Sequence, residues 1–363
     1  MFLPHKTITE DFLDSPGTIF DVRSPGEFAQ GHIPGAVNLP LFSNEERAAV
    51  GTIYKQQGQK AAISLGLTLT GPKLADLVAQ ATLLTDGGAL PAKVYCARGG
   101  MRSGALSWLL EFAGIKTIAL CLETAVVDDK LTQDFNSKDC VNVSSSTAVF
   151  RLQGGYKTFR RWVLSQFDIP RHITILGGMT GSGKTSMLDR LKEKGHQVLN
   201  LEAIANHRGS AFGKIGMCGS QPSTEHFENE IGVLLAKSDP SRPLWIEDES
   251  RMIGTCCLPT GIFEQMRRSP MIFIDIPREE RIQRLMAEYG QFPAEQLALA
   301  TERIGRHLGG QRKNEALSYI AQGNILQALE IVLDYYDKSY THAQAKYPRS
   351  VTKVNNFDQL YED

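Results

Sequence analysis

VYCARGGMRS, from Val94 to Ser103, joins a β-type run to a segment with the apolar spacing of a helix. The glycines between the two parts predict a tight loop at a helix N-terminus. Backbone N–H groups in such a loop point inward, and the helix end adds partial positive charge, so the loop favours an anion. Cys96 starts this loop and Arg102 ends it. We therefore expect a nucleophilic thiol held beside an oxyanion site.

Composition indicates a globular protein of about two domains. The 363 residues are 42% hydrophobic and 22% charged, with a net charge of −1, so any nucleic-acid partner would need a local basic patch. No run of about 20 apolar residues predicts a membrane span. The N-terminal residues lack a signal-peptide pattern, and we expect a cytoplasmic protein with no membrane partner.

The cysteines support the same compartment. They are scattered without a CxxC pair, which favours reduced thiols over a disulfide framework or a zinc site. We interpret all of them except Cys96 as small buried apolar residues. The six are Cys96, Cys121, Cys140, Cys218, Cys256 and Cys257.

The first half of the chain alternates strand and helix signals. β-type runs cover 18–23, 36–39, 93–95 and 115–122, and a helical pattern covers 71–81. Ser24 and Pro25 predict the start of a short helix that Gly31 ends. This alternation predicts an α/β fold in which a parallel sheet carries helices on both faces.

DVRSPGEFAQGHIPGAVNLP, residues 21–40, followed by a strand, a cysteine loop and a helix, resembles the rhodanese family of sulfurtransferases. The resemblance implies that Cys96 is the catalytic residue and carries a persulfide or perselenide. Four residues match the family's N-terminal motif, and we interpret them as fixing the loops around the sheet, because buried charges are usually paired. They are Asp21, Arg23, Glu27 and His32.

The cysteine loop is one residue longer than the usual single-sulfur rhodanese loop. Cys96 and Arg102 are spaced as C-x5-R, which suits a larger tetrahedral anion such as phosphate or selenophosphate. The same spacing occurs in cysteine phosphatases, so phosphoester hydrolysis stays open as an alternative to sulfur transfer. The candidate anion-binding residues are Arg98, Gly99, Gly100, Arg102 and Ser103.

Residues 123–149 are polar and predict a linker. A basic, aromatic helix follows it, and its cations fit either phosphates and bases of RNA or a solvated surface. The candidate RNA contacts on this helix are Lys157, Arg160 and Arg161. We expect a rhodanese-like domain over 1–135, a linker and connecting helix over 136–168, and a second domain over 169–363.

The second domain begins with a strand at 173–176 and the sequence GMTGSGKT at 178–185. This is GxxxxGK[ST] between a strand and a helix, which predicts a P-loop and an NTPase-like α/β fold. Such a loop binds a di- or triphosphate rather than a base. The candidate phosphate-binding residues are Gly178, Gly181, Gly183, Lys184 and Thr185, and Thr185 is also the candidate Mg²⁺ ligand.

Two later strand ends carry polar clusters where open α/β sheets bind ligands. The first supplies the candidate substrate-site residues Glu202, His207 and Arg208, and the second supplies Glu247, Asp248, Glu249 and Arg251. The acids of the second cluster fit a metal-binding strand end, or alternatively a favourable helix N-terminus.

From Pro277 onward the chain predicts a charged helical extension, beginning with PREERIQRLMAEYG. Its densest basic run fits phosphates of an RNA or a solvated face. The candidate contacts there are Arg303, Arg306 and Arg312.

Several segments together resemble the tRNA 2-selenouridine synthase family, namely VGTIYKQQGQKAA, CARGGMRSG, LQGGYKTFRR, LEAIANHRGSAFG and IEDESRMIG. The resemblance implies a transferase that converts 2-thiouridine in the anticodon region of tRNA to 2-selenouridine. It implies selenophosphate and geranyl diphosphate as substrates, an S-geranyl intermediate, and a partner that produces selenophosphate. We assign the diphosphate of the geranyl donor to the P-loop from phosphate chemistry.

Two other classes of protein stay open. One is a P-loop small-molecule kinase or ATPase regulated by the rhodanese-like half, although no adenine-reading motif is visible. The other is a non-catalytic sulfur carrier or tRNA-binding adaptor.

Overall fold

The structure, a computed structural model, describes residues 8–115 and 150–355. They form two compact units that divide between Trp162 and Val163. Both are α/β with parallel sheets, as predicted. The predicted linker at 123–149 and most of the predicted strand at 115–122 lie outside the described residues.

The N-terminal unit is built on four parallel strands in the order β2-β1-β3-β4. Its strands are β1 Thr18–Asp21, β2 Val37–Asn38, β3 Ala92–Tyr95 and β4 Phe150–Arg151. Its helices are α1 Ile8–Asp14, α2 Pro25–Gln30, α3 Asn44–Gln57, α4 Gln59–Thr70, α5 Leu74–Leu84, α6 Met101–Phe112 and α7 Gly155–Gln166, with a short 3₁₀ helix at Gly71–Lys73. Helix α7 crosses the division between the units.

The short helix α2 forms where the sequence predicts it. The Ser24 side chain accepts from the Glu27 N–H, the Glu27 side chain accepts from the Ser24 N–H, and Gly31 ends the helix. This capping box satisfies donors that helical hydrogen bonds leave unpaired. It also fixes the carboxylate of Glu27 at one end of the sheet.

The C-terminal unit contains a five-stranded parallel sheet in the order β11-β10-β5-β7-β6 and a two-stranded ribbon. Its strands are β5 Ile173–Gly178, β6 Gln197–Leu199, β7 Leu244–Glu247, β8 Met252–Ile253, β9 Cys256–Cys257, β10 Met271–Ile274 and β11 Val351–Val354. Its helices are α8 Lys184–Glu193, α9 Leu201–Ala205, α10 Thr224–Lys237, α11 Thr260–Arg268, α12 Arg278–Tyr289, α13 Ala294–Arg303, α14 Gly305–Leu308, α15 Gly310–Ala321 and α16 Ile325–Lys346.

The central strand of this sheet leads into the P-loop. Strands β7 and β6 lie on one side of β5, and β10 and β11 lie on the other. The strand order therefore reverses at β5, and open α/β sheets bind ligands beyond the carboxyl ends of the strands at such a point.

The charged C-terminal extension is helical, as predicted, and has its own apolar core. Leu285 and Tyr289 of α12 pack in one cluster with Leu297 of α13 and Leu333 of α16. Burial of these side chains against each other holds α12 and α16 together at one side of the P-loop. In the described part of the chain, none of the helices is both long and apolar enough to cross a membrane.

Candidate functional site

Cys96 lies at the carboxyl end of β3, one turn before α6, and is only 3% exposed. Its Sγ is 3.2 Å from the hydroxyl oxygen of Ser103. Burial by itself raises the pKa of the Cys96 thiol, but contact with the Ser103 hydroxyl, two backbone N–H groups and the charge of Arg102 lower it more. The net pKa is below the usual value. The Cys96 thiol therefore ionises more easily than a free cysteine, as the helix-start position predicts.

The crest of the cysteine loop is open to solvent. Arg98 and Gly100 are exposed there, and Gly99 has a positive φ of 65°. A Cβ at Gly99 would come within 2.7 Å of the Leu152 carbonyl oxygen, so this position needs glycine. The backbone near Leu152 therefore packs closely against Gly99, while Arg98 and Gly100 on the loop are accessible to an anion.

Arg102, the arginine of the C-x5-R spacing, makes a contact that the sequence did not predict. Its Nη1 donates to the Glu27 carboxylate at 2.9 Å. Burial raises the pKa of Glu27, but Arg102 and the other donors around this carboxylate bring it below its usual range. Glu27 therefore fixes the position of the Arg102 guanidinium, and an anion bound in the loop would compete with Glu27 for it.

A second helix N-terminus supports the cysteine loop, and sequence reasoning missed it. The N–H of Tyr156 donates to the Cys96 carbonyl at 2.9 Å, and the N–H of Lys157 donates to the Ala97 carbonyl at 3.1 Å. Gly155 has a φ of 60°, and a Cβ there would lie 2.2 Å from the Cys96 carbonyl oxygen. The glycine pair in LQGGYKTFRR predicts a turn. It does not predict that this turn packs against the cysteine loop.

The other residues of the rhodanese-type motif have structural partners. Asp21 and Arg23 form a buried ion pair, and the Arg23 guanidinium also donates to the Gly31 carbonyl at 2.7 Å. The same guanidinium lies 3.8 Å from the ring centre of Tyr156. His32 lies with its ring on that of Phe28 at 3.7 Å. These contacts agree with the prediction that the motif fixes loops around the sheet.

The P-loop has the expected local form. Gly181 and Gly183 have φ values of 80° and 87°, and α8 starts at Lys184. Lys184 Nζ donates to the Gly178 carbonyl at 2.9 Å, so the ammonium group folds back over the loop. The Thr185 hydroxyl donates to Glu202 Oε2 at 3.2 Å.

Three of the predicted acids converge beside this loop. The N–H of Glu202 donates to Glu247 Oε1 at 2.7 Å, and a Cβ on Gly209 would lie 2.6 Å from Glu249 and 3.0 Å from Glu202. Burial raises the pKa of Glu202, partly offset by Lys184, and raises that of Glu247 well above its usual value. Burial and the neighbouring charge of Glu202 raise the pKa of Glu249 to about 8. The cluster can therefore exchange a proton near neutral pH.

Asp248 does not join this cluster. Its carboxylate accepts from Arg349 at 2.8 Å, Tyr340 at 2.8 Å and Gln344 at 2.7 Å, and it also pairs with Arg267 at 2.8 Å. These four donors occupy the carboxylate oxygens, so the contacts of Asp248 hold α11, α16 and the segment before β11 together. Asp248 lies apart from the cluster because side chains alternate across a strand end, so neighbours in sequence face different surroundings.

Arg251 is likewise away from the acids, since it is exposed and donates to the Thr260 hydroxyl at 2.8 Å. Arg208 pairs with Glu288 of α12 at 2.7 Å. His207 is buried, and its Nδ1 has no hydrogen-bond partner among the described residues. Burial, followed by the charges of Lys214 and Arg303, lowers the pKa of His207. This shift favours the neutral imidazole of His207.

The basic residues predicted to contact RNA differ in exposure. Lys157, Arg161, Arg303 and Arg306 are exposed, and Arg160 is half-buried. Arg312 instead pairs with Asp334, which also binds Arg278. Contact of these six residues with RNA stays a prediction.

Helix α12 brings two further arginines to the P-loop, and sequence reasoning did not single them out. Arg281 Nη1 donates to the Thr180 carbonyl at 3.1 Å, and Arg284 Nη1 donates to the Ser182 carbonyl at 2.7 Å. The spacing i, i+3 on PREERIQRLMAEYG places them on one helix face. The sequence therefore predicts that the two arginines share a helix face, but it does not predict that this face packs against the P-loop.

Comparison with known proteins matches both units. A rhodanese-like domain matches residues 7–128, and the family described as the tRNA 2-selenouridine synthase AAA domain matches residues 171–362. A tRNA 2-selenouridine synthase from Aeromonas salmonicida is 36% identical over 84% of this chain and 77% of that protein. One from Bordetella bronchiseptica is 35% identical over 93% of this chain and 91% of that protein.

Among the solved structures that match part of this chain is the N-terminal domain of a putative ATP/GTP binding protein from Clostridium difficile 630. It has 36% identity over 43% of this chain and 95% of that chain, at a TM-score of 0.31.

Proposed function

Because this chain belongs to the tRNA 2-selenouridine synthase family, we propose that it replaces the sulfur of a wobble 2-thiouridine in tRNA with selenium. Selenophosphate is the selenium donor, and the reaction passes through S-geranyl-2-thiouridine made with geranyl diphosphate. The observation that supports the proposal is that one chain combines two loops of the kind that bind anions. One surrounds a buried cysteine whose pKa is lowered, and the other is a P-loop beside a carboxylate cluster.

The P-loop site is assigned to geranyl transfer. The sulfur of 2-thiouridine forms a bond to C1 of the geranyl group, the C1–O bond breaks, and diphosphate leaves with the bonding electrons. Lys184 and the backbone N–H groups of the loop stabilise the charge of that leaving group. The base loses its N3 proton in the same step, and Glu249, with a pKa of about 8, is the proton acceptor. No nucleotide hydrolysis is needed.

The Cys96 site is assigned to selenophosphate. Loop N–H groups and Arg102, once it leaves Glu27, hold the phosphate oxygens, while Cys96 contacts the selenium end. Selenium attacks C2 of the S-geranylated base and the geranyl thiolate leaves. Water then cleaves the Se–P bond to give phosphate. A partner enzyme that makes selenophosphate would supply this site.

Magnesium is a candidate cofactor of the P-loop site. The Thr185 hydroxyl and the Glu202 carboxylate are 3.2 Å apart and offer the oxygen ligands that Mg²⁺ prefers. The described residues contain no group of three His, Cys, Asp or Glu side chains placed to hold a metal. A magnesium ion would therefore use these few protein oxygens with diphosphate and water, and would neutralise charge on the diphosphate.

The tRNA is proposed to contact exposed cations. Lys157, Arg161, Arg303 and Arg306 provide such groups in the described parts of the chain. Phosphate contacts of this kind position an RNA without reading its sequence.

The test is mass spectrometry of nucleosides from 2-thiouridine tRNA incubated with the full chain. With geranyl diphosphate alone we expect S-geranyl-2-thiouridine, and on adding selenophosphate we expect 2-selenouridine. Cys96→Ser is expected to keep the first product and lose the second, and Lys184→Ala is expected to lose the first.

Three results would contradict the proposal. An unchanged 2-thiouridine peak in the wild-type reaction would refute the activity. Geranylation that survives Lys184→Ala would refute the assignment of the P-loop. Turnover of ATP without tRNA would favour the kinase or ATPase alternative.

A further inference from the structure

Two arginines of α12 hold the outside of the P-loop, but their surroundings differ. Arg281 is buried, and both of its terminal nitrogens donate to Asp337 of α16 at 2.9 and 2.8 Å. Its charge is therefore neutralised within the fold. Because it also binds the Thr180 carbonyl, Arg281 fixes α12 against the loop.

Arg284 is not neutralised in this way. Its side chain is 47% exposed, and its paired carboxylate, Glu280, is 3.8 Å away and itself 56% exposed. A pair with this distance and exposure contributes little energy and is easily exchanged. A nearly uncompensated positive charge thus lies at the rim of the P-loop.

The position of this charge is set by the loop backbone. Arg284 Nη1 is 2.7 Å from the Ser182 carbonyl oxygen and would be 3.0 Å from a Cβ on Gly183. The next residue, Lys184, begins α8 and is the lysine of the phosphate-binding motif. The Arg284 guanidinium therefore contacts the loop at the two residues that come directly before Lys184.

We propose that Arg284 is a second phosphate-binding cation of the P-loop site, which turns from the Ser182 carbonyl onto an oxygen of a bound diphosphate. A planar guanidinium presents several N–H donors at once and matches phosphate geometry. With Lys184 on one phosphate and Arg284 on the other, the site is suited to a diphosphate that must leave as a unit. The inference rests on the proposed function only in taking a diphosphate as the ligand of the P-loop.

The test measures binding of inorganic pyrophosphate and of geranyl diphosphate to the full chain by isothermal titration calorimetry. Arg284→Gln is expected to weaken both by about tenfold or more, the effect of losing one charged hydrogen bond. Arg268→Gln is the matched control, because Arg268 also pairs at i, i+4 with a glutamate 3.8 Å away but is 82% exposed on α11. It is expected to bind like the wild type.

Arg284→Lys keeps the positive charge but loses the planar guanidinium. It serves as a second variant in case Arg284→Gln fails to fold. Weaker binding with an unchanged melting temperature supports the proposal. Binding of both ligands within about twofold of wild type in Arg284→Gln and Arg284→Lys overturns it. If Lys184→Ala also binds pyrophosphate normally, the P-loop assignment itself has failed. If Lys184→Ala loses binding while both Arg284 variants retain it, only the role of Arg284 has failed.

Discussion

Gly155→Ala should damage the Cys96 site from a position 59 residues away in sequence. Gly155 has a φ of 60°, and a Cβ added there would lie 2.2 Å from the Cys96 carbonyl oxygen and 2.4 Å from the Gly99 nitrogen. Carbon and oxygen rarely approach closer than about 3.3 Å, so the loop must move by about 1 Å to accept the methyl group.

The magnitude follows from two costs. A left-handed residue other than glycine costs about 1–2 kcal/mol, which lowers the free energy of unfolding whatever the space. Displacement of a catalytic loop by about 1 Å costs about 100-fold in rate. We therefore expect Gly155→Ala to lose about 100-fold in selenation of S-geranyl tRNA, with a measurable loss of stability.

Gly35→Ala separates the two costs. Gly35 also has a positive φ, of 77°, but a Cβ added at this position would meet no atom within 4 Å. It should lose similar stability and keep full selenation. The assays are urea unfolding and nucleoside mass spectrometry with pre-geranylated tRNA. If Gly155→Ala selenates at the rate of Gly35→Ala, the glycine turn does not position the cysteine loop.

Three further predictions concern single side chains. Ser103→Ala should raise the pKa of Cys96, because the Ser103 contact is the strongest influence that lowers it, and the rate of iodoacetamide alkylation against pH measures this shift. In the wild type, the geranylation rate should rise as Glu249 loses its proton near pH 8, and Glu249→Gln should remove that rise and lower the rate by about 100-fold or more. Asp248→Asn should lower the free energy of unfolding by about 3–5 kcal/mol, because buried arginines lose their carboxylate. Asp275→Asn, at an exposed pair, should cost less than about 1 kcal/mol.

Each of these has a contrary outcome. An alkylation profile that does not move would show that the serine hydroxyl does not stabilise the thiolate. A rise near pH 8 that persists without the Glu249 carboxylate would assign the proton transfer to another group. Equal free energies of unfolding for Asp248→Asn and Asp275→Asn would show that the buried Asp248 carboxylate does not stabilise the fold more than the exposed Asp275 carboxylate does.

Features made by neighbouring residues were predictable. The C-x5-R loop, the capping box of α2 and the P-loop with its following helix all depend on spacing within one turn or loop. Backbone geometry over such short distances is fixed by local sterics and hydrogen bonds, so residue identity and order are sufficient.

The acids at 247–249 show where that reasoning reaches its limit. The sequence predicted one cluster, but Glu247 and Glu249 face the P-loop side while Asp248 binds Arg349 from 101 residues away. Which of these three acids lies beside the P-loop depends on hydrogen-bond partners that are distant in sequence, and a local sequence pattern does not predict them.

The sequence by itself determined the local elements of this protein: a cysteine in a loop before a helix, a P-loop, and strand ends that carry acids. Only the tertiary structure decided what supports and tunes them. Gly155 lies behind Cys96, Glu27 holds Arg102, and Arg284 reaches the P-loop across 102 residues. The physical reason is that these contacts arise when helices pack on a sheet, and packing joins residues by shape and burial rather than by spacing.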